Sequence, residues 1–191
     1  MGGNPTILQL LYVPLGGCVR KDAWGSRLQE IAPHIVSRRA GGAFLGYLQA
    51  QRMRFTGERG GSHGIAHAGD REKYGYDTKY AMHMLRLGYQ GVELLSTGRL
   101  SFPVPEREFL LSVRKGESST QEILSRTGEL EKELKSLMDT SLLPSVPDKE
   151  FVEKWMMRVY WIKWKSEAGH PQNPYYDPPF DLTKNWSGKL G

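Results

Sequence analysis

The chain has 191 residues, 39% hydrophobic and 25% charged, which suits one globular domain or one domain plus a tail. No apolar run approaches the roughly 18–20 residues that cross a bilayer, so no membrane partner is expected. No secretory signal is visible at Met1 to Pro5, and the single cysteine, Cys18, excludes an internal disulfide and points to a reducing, cytoplasmic setting.

The net charge of +5 favours anionic partners, with nucleic acid or nucleotide phosphate foremost. Arg20, Lys21, Arg27, Arg38, Arg39, Arg52, Arg54 and Arg59 all fall in the first third. An anion-binding surface is therefore expected from the first half of the chain. Cys18, in a loop-like stretch after Gly16 and Gly17, reads as an ordinary loop residue rather than a catalytic thiol.

Asn4-Pro5 offers an N-cap and a residue preset for the first helical position. A short, largely buried helix is predicted over Thr6 to Val13, ended by Pro14, Gly16 and Gly17. A second fits Ala23 to Ile31, stopped by Pro33. A third fits Arg38 to Phe55, with Phe44, Tyr47, Leu48 and Gln51 three or four apart. Gly41, Gly42 and Gly46 weaken it, and glycines there often let a neighbouring backbone come close. A flexible glycine-rich loop is expected over 56–72.

A strong helix follows from about Asp77 to Thr97, closed by Gly98. Arg99 to Pro105 reads as a short extended piece, and Glu106 to Lys115 as a helix closed by Gly116. Ser119 with Glu122 resembles a capping box, opening a helix with Ile123, Leu130, Leu134 and Leu137 on one face. Asp148 caps the last helix, which runs to about Lys165 with Phe151, Val152, Trp155, Val159 and Ile162 on one face. The tryptophans Trp155, Trp161 and Trp164 read as core or interface. The fold class is mostly α: an irregular bundle of about five to six helices with at most one short strand or hairpin. Residues 1–166 would form the helical domain, and 167–191 a proline-rich extended or disordered tail.

The helix from Asp77 carries the clearest chemistry. Lys79, His83, Arg86, Gln90 and Glu93 fall within an arc of roughly 80°. Tyr80, Met84, Leu87 and Leu94 form the neighbouring, packed face. Lys79, His83 and Arg86 would suit a triphosphate or an RNA backbone, whose oxygens accept hydrogen bonds and whose charge they offset. By spacing alone, a solvated helix face is the more ordinary reading. Asp70 and Glu72, two apart beyond Gly61-Ser62, imitate a two-metal carboxylate pair. They lack the β-branched and apolar neighbours of a strand and are rejected. His63 and His67 lack an evident third ligand. No metal ligand and no catalytic residue is therefore assigned.

Several segments carry a resemblance to a known family. They are Gly3-Asn-Pro-Thr-Ile-Leu-Gln-Leu-Leu-Tyr-Val-Pro, Ser37-Arg-Arg-Ala with Ala43-Phe-Leu-Gly-Tyr, Val113-Arg-Lys-Gly-Glu, and above all Tyr74-Gly-Tyr-Asp-Thr-Lys-Tyr-Ala-Met-His-Met-Leu-Arg-Leu through Gln90-Gly-Val-Glu. Over roughly residues 2–165 the chain resembles predicted nucleotidyltransferases of the DNA polymerase β superfamily, the RlaP/YcgL-like proteins, some of them linked to RNA repair. The resemblance implies an α/β catalytic region carrying Gly-Ser and an Asp-x-Asp pair, followed by helices, with this chain matching only the C-terminal helical part. It further implies nucleotide or RNA contact by Lys79, His83 and Arg86, with Asp77 and Glu93 in the same segment. No cofactor is expected in this chain itself. Mg²⁺ and a nucleoside triphosphate would enter if it pairs with a separately encoded catalytic domain. Self-association is the other expected partnership, and Ile7, Leu8, Leu10 and Leu11 are the expected contributors to an exposed apolar patch. The competing reading is a non-catalytic module that binds nucleic acid, a nucleotide or a protein.

Overall fold

A computed structural model describes residues 4–58 and 68–167. The chain divides into two compact units, Met1–Pro147 and Asp148–Gly191. Among the described residues there are helices and no strand, so the mostly α expectation holds. The segment after Gly98 forms no strand and bends at Phe102 and Pro103, and Leu100 is buried within it.

The first unit holds α1 (Ala23–Glu30), α2 (Ala32–Ile35), α3 (Arg39–Thr56), α4 (Ala68–Tyr74), α5 (Thr78–Thr97), α6 (Arg107–Lys115) and α7 (Thr120–Thr140). The second unit holds α8 (Lys149–Glu167), opened by Asp148, whose Oδ1 accepts from the Phe151 amide at 3.0 Å. Short helices α2 and α4 bring the described number above the five or six expected. The glycine-rich segment is also shorter than 56–72: Thr56 ends α3, and Ala68 to Glu72 belong to α4. Residues 59–67, with Gly61, Ser62, His63 and His67, lie outside the described residues, as does the proline-rich tail from 168.

The opening helix differs from expectation in kind. Pro5–Leu11 is a 3₁₀ helix, capped as predicted by Asn4, whose Oδ1 accepts from the Thr6 amide at 3.1 Å. Bonds to the third residue back close it, from the Ile7 amide to Asn4 O at 3.2 Å and from the Tyr12 amide to Gln9 O at 3.0 Å. Side chains also take the carbonyls at its end: Gln29 Nε2 donates to Leu10 O at 3.1 Å and to Val13 O at 2.9 Å. Ile7 and Leu10 are 65% and 60% exposed, as the expected apolar patch requires, whereas Leu11 is buried and Leu8 partly buried, against that expectation.

Helix α5 is the centre of the first unit and packs against α3, α6 and α7. Met84, Leu85, Leu87 and Leu94 are fully buried on it; each such side chain contributes about 1.5–3 kcal/mol. Two glycines let its neighbours in. A Cβ at Gly88 would lie 2.7 Å from Leu130 of α7 and 3.0 Å from Leu48 of α3. One at Gly91 would lie 2.8 Å from both Leu134 and Phe44. The helix ends where Gly98 adopts φ 74°, its amide bonding Leu94 O, a conformation that glycine enters without steric cost.

Candidate functional site

The residues before α5 aim it. Tyr76 is buried, and its hydroxyl donates to Ser118 O at 2.9 Å. Thr78 is also buried; its hydroxyl donates to Asp70 Oδ2 at 2.5 Å, while Arg114 of α6 bonds the same carboxylate oxygen at 3.2 Å. Asp77, 2% exposed, accepts the amides of Lys79 and Tyr80 on Oδ1, each at 3.0 Å. Its carboxylate is the N-cap of α5.

Along the polar face, Lys79 is exposed, His83 and Arg86 are half-buried, and Gln90 is 1% exposed. Arg86 Nη2 donates to His83 Nδ1 at 3.0 Å. A guanidinium has no acceptor, so Nδ1 presents its lone pair and the neutral ring carries its proton on Nε2. Burial holds the His83 pKa below its ordinary value, and the charges of Arg86, Lys79 and Arg54 depress it further. Arg54, from α3, is thus a further positive charge that acts on that imidazole.

Arg86 is the least satisfied of the group. Burial lowers its pKa, although an arginine stays protonated. Its Nε is buried without a hydrogen-bond partner, and among the described residues no carboxylate pairs with Lys79, Arg54 or Arg86. Other arginines are neutralised: Arg52 by Glu131 at 3.3 Å, Arg114 by Asp70, Arg126 by Glu129. One turn beyond Arg86, Gln90 accepts from Gln9 Nε2 at 2.9 Å, and its own Nε2 has no partner. Glu93 Oε1 accepts from the Ser101 amide at 2.9 Å and so tethers the chain after α5. The structure therefore joins His83 to Arg86, leaves Lys79 exposed on the same helix face, and gives Asp77 and Glu93 hydrogen bonds within the fold.

A recess lies between α5, α6 and α7, lined by Tyr89, Glu106, Glu108, Phe109, Glu122 and Arg126 among others. Its three carboxylates face one arginine, which already bonds Tyr89 and Glu129, so its charge is the wrong sign for phosphate. Asp70 and Glu72 stand on α4, a helix rather than a strand, with Asp70 held by Thr78 and Arg114. Among the described residues no three metal-ligating side chains cluster.

Against known proteins, one family model matches residues 1–158; its description is RlaP, RNA repair pathway DNA polymerase beta family. No curated protein and no solved structure matches the chain.

Proposed function

Because the chain belongs to the RlaP family, the RNA repair pathway DNA polymerase beta family, we propose that its α5 surface holds phosphate of a nucleotide or RNA substrate beside a polymerase β-type catalytic domain. The observation that carries this reading is a cationic face with no carboxylate paired to it among the described residues: half-buried Arg86 with exposed Lys79 on the same helix face. Arg86 donates to His83 Nδ1, the charges of Lys79 and Arg54 also act on that imidazole, and Arg86 Nε is buried with nothing to accept from it. An unpartnered buried donor costs roughly 1–3 kcal/mol, more when charged, and a phosphate oxygen would recover that cost with a charge-assisted bond.

The described residues do not fit a two-metal site. That chemistry needs carboxylates converging on one point, whereas Asp70 is committed to Arg114 and Thr78, and Asp77 to the α5 amides. Any Mg²⁺-dependent transfer is accordingly assigned to the catalytic domain, with this surface as a substrate holder. Ile7 and Leu10, exposed on the opening 3₁₀ helix, are two of the four side chains expected to form an apolar packing face there.

The test is the double variant Lys79→Glu with Arg86→Glu, with helicity verified by circular dichroism. Two like charges now face the ligand, so affinity for RNA and nucleoside triphosphate should fall at least about tenfold, ~1.4 kcal/mol. Unchanged affinity for both ligands would remove the phosphate-holding role.

A further inference from the structure

Independently of the phosphate reading, we infer that the recess between α5, α6 and α7 is a docking site for a basic peptide segment of a partner protein. The segment places lysine or arginine side chains among Glu106, Glu108 and Glu122.

The first reason is unmatched charge. Glu106 caps α6, Glu108 stands in its first turn, and Glu122 stands in the first turn of α7. All three line one recess of about 520 Å³, within the range of about 300–1,000 Å³ usual for organic ligands. Among the described residues none of the three is in an ion pair. Arg126, the cation on the wall, is already met by Glu129, whose Oε2 lies 2.8 Å from its Nη1. The recess therefore keeps a negative charge that a cationic ligand would offset.

The second reason is how the carboxylates are spread. Among the described residues no three metal-ligating side chains come close enough to share one ion. A ligand with spaced positive centres fits such carboxylates where a single ion does not. The same recess is walled by Phe109 and Pro105. The methylene stem of a lysine or arginine lies along an apolar wall of this kind while its charged head stays with the carboxylates.

The third reason is a buried donor. Tyr89 of α5 is 7% exposed and lines the recess. Its Oη accepts from Arg126 Nε at 2.8 Å, and among the described residues no hydrogen bond takes its own proton. A simple polyamine brings donors alone and would leave that hydroxyl unmet. A peptide brings cationic side chains for the carboxylates and main-chain carbonyls for Tyr89. A nucleic acid strand brings the same charge that the recess already carries.

The experiment titrates the full chain by calorimetry with three probes. One is an acetylated, amidated alanine pentapeptide with lysine at its second and fourth positions. Its twin carries glutamate at those positions. The third is cadaverine, which has the same two positive charges and no carbonyl. The lysine peptide should saturate one site and bind at least about tenfold tighter than either of the others. The pair Glu108→Gln with Glu122→Gln, both at exposed positions, should weaken it at least about tenfold while the thermal midpoint holds. Absence of saturation by the lysine peptide, equal binding of its glutamate twin, or affinity untouched by the glutamine pair would overturn the inference. Cadaverine binding as tightly as the lysine peptide would overturn the peptide as occupant and put a small amine in its place.

Discussion

At the scale of single residues, His83 links the site to pH. Its folded pKa lies below the ordinary value of about 6.5. As pH falls through about 6.5 the unfolded chain takes up a proton that the folded ring still refuses, so stability falls with it. The loss levels off once pH passes below the folded pKa and both states are protonated. Urea denaturation between about pH 5 and 8 should therefore show stability rising with pH across that window. His83→Asn should flatten that component, and parallel curves for the two proteins would mean the imidazole is not held neutral. Asp77 makes a different residue-scale case. Its Oδ1 caps α5, so Asp77→Ala should cost about 0.5–2 kcal/mol, and Asp77→Ser should restore most of it, because a serine hydroxyl caps equally well. A ligand-binding carboxylate would not be replaced by a hydroxyl, so a failure of serine to rescue thermal stability would return Asp77 to the site.

At the scale of elements, glycines of similar helical setting have opposite roles. Gly46 of α3 has nothing within 4 Å of a built Cβ, so Gly46→Ala should stabilise by up to about 1 kcal/mol through helix propensity. Gly91 of α5 would drive its Cβ to 2.8 Å from Phe44 Cβ, the root of a fully buried ring, so Gly91→Ala should destabilise by about 1–3 kcal/mol. Thermal or urea unfolding of the pair decides it, and a stabilising Gly91→Ala would mean that α3 and α5 are not pressed together. From sequence, Gly41, Gly42 and Gly46 looked alike as possible close approaches. Only Gly41 is tightly covered, with Leu95 and Met138 each 2.7 Å from its built Cβ, because it alone of the three is buried.

At the scale of the whole molecule, the proposed division of labour separates substrate holding from chemistry. The full chain by itself should show no metal-dependent nucleotide transfer to RNA in a labelled-nucleotide assay. Clear transfer would mean that residues beyond the α5 cluster supply converging carboxylates, and it would end the holder reading. The two compact units meet at Pro147 and Asp148, where Pro144 and Pro147 mark a turn in the sequence itself. Lys79, His83, Arg86 and Arg54 all belong to the first of them.

Much of the architecture was legible because it is local. Asn4, Asp148 and Ser119 are caps that act within three residues of themselves. Gly98 and Gly116 close their helices through their own backbone angles, and the spacing of Lys79, His83 and Arg86 follows from helix pitch alone. The character of the opening helix was less legible, since its last carbonyls are taken by Gln29, which lies outside it in sequence. Packing alone decided which donors on α5 go without acceptors. It brought the charge of Arg54 of α3 to bear on His83, matched Gln9 to Gln90, and drew Glu93 to Ser101. Charge and periodicity are properties of one segment, but an unmet hydrogen bond depends on every neighbour that failed to supply a partner, and those neighbours are set only when the helices close together.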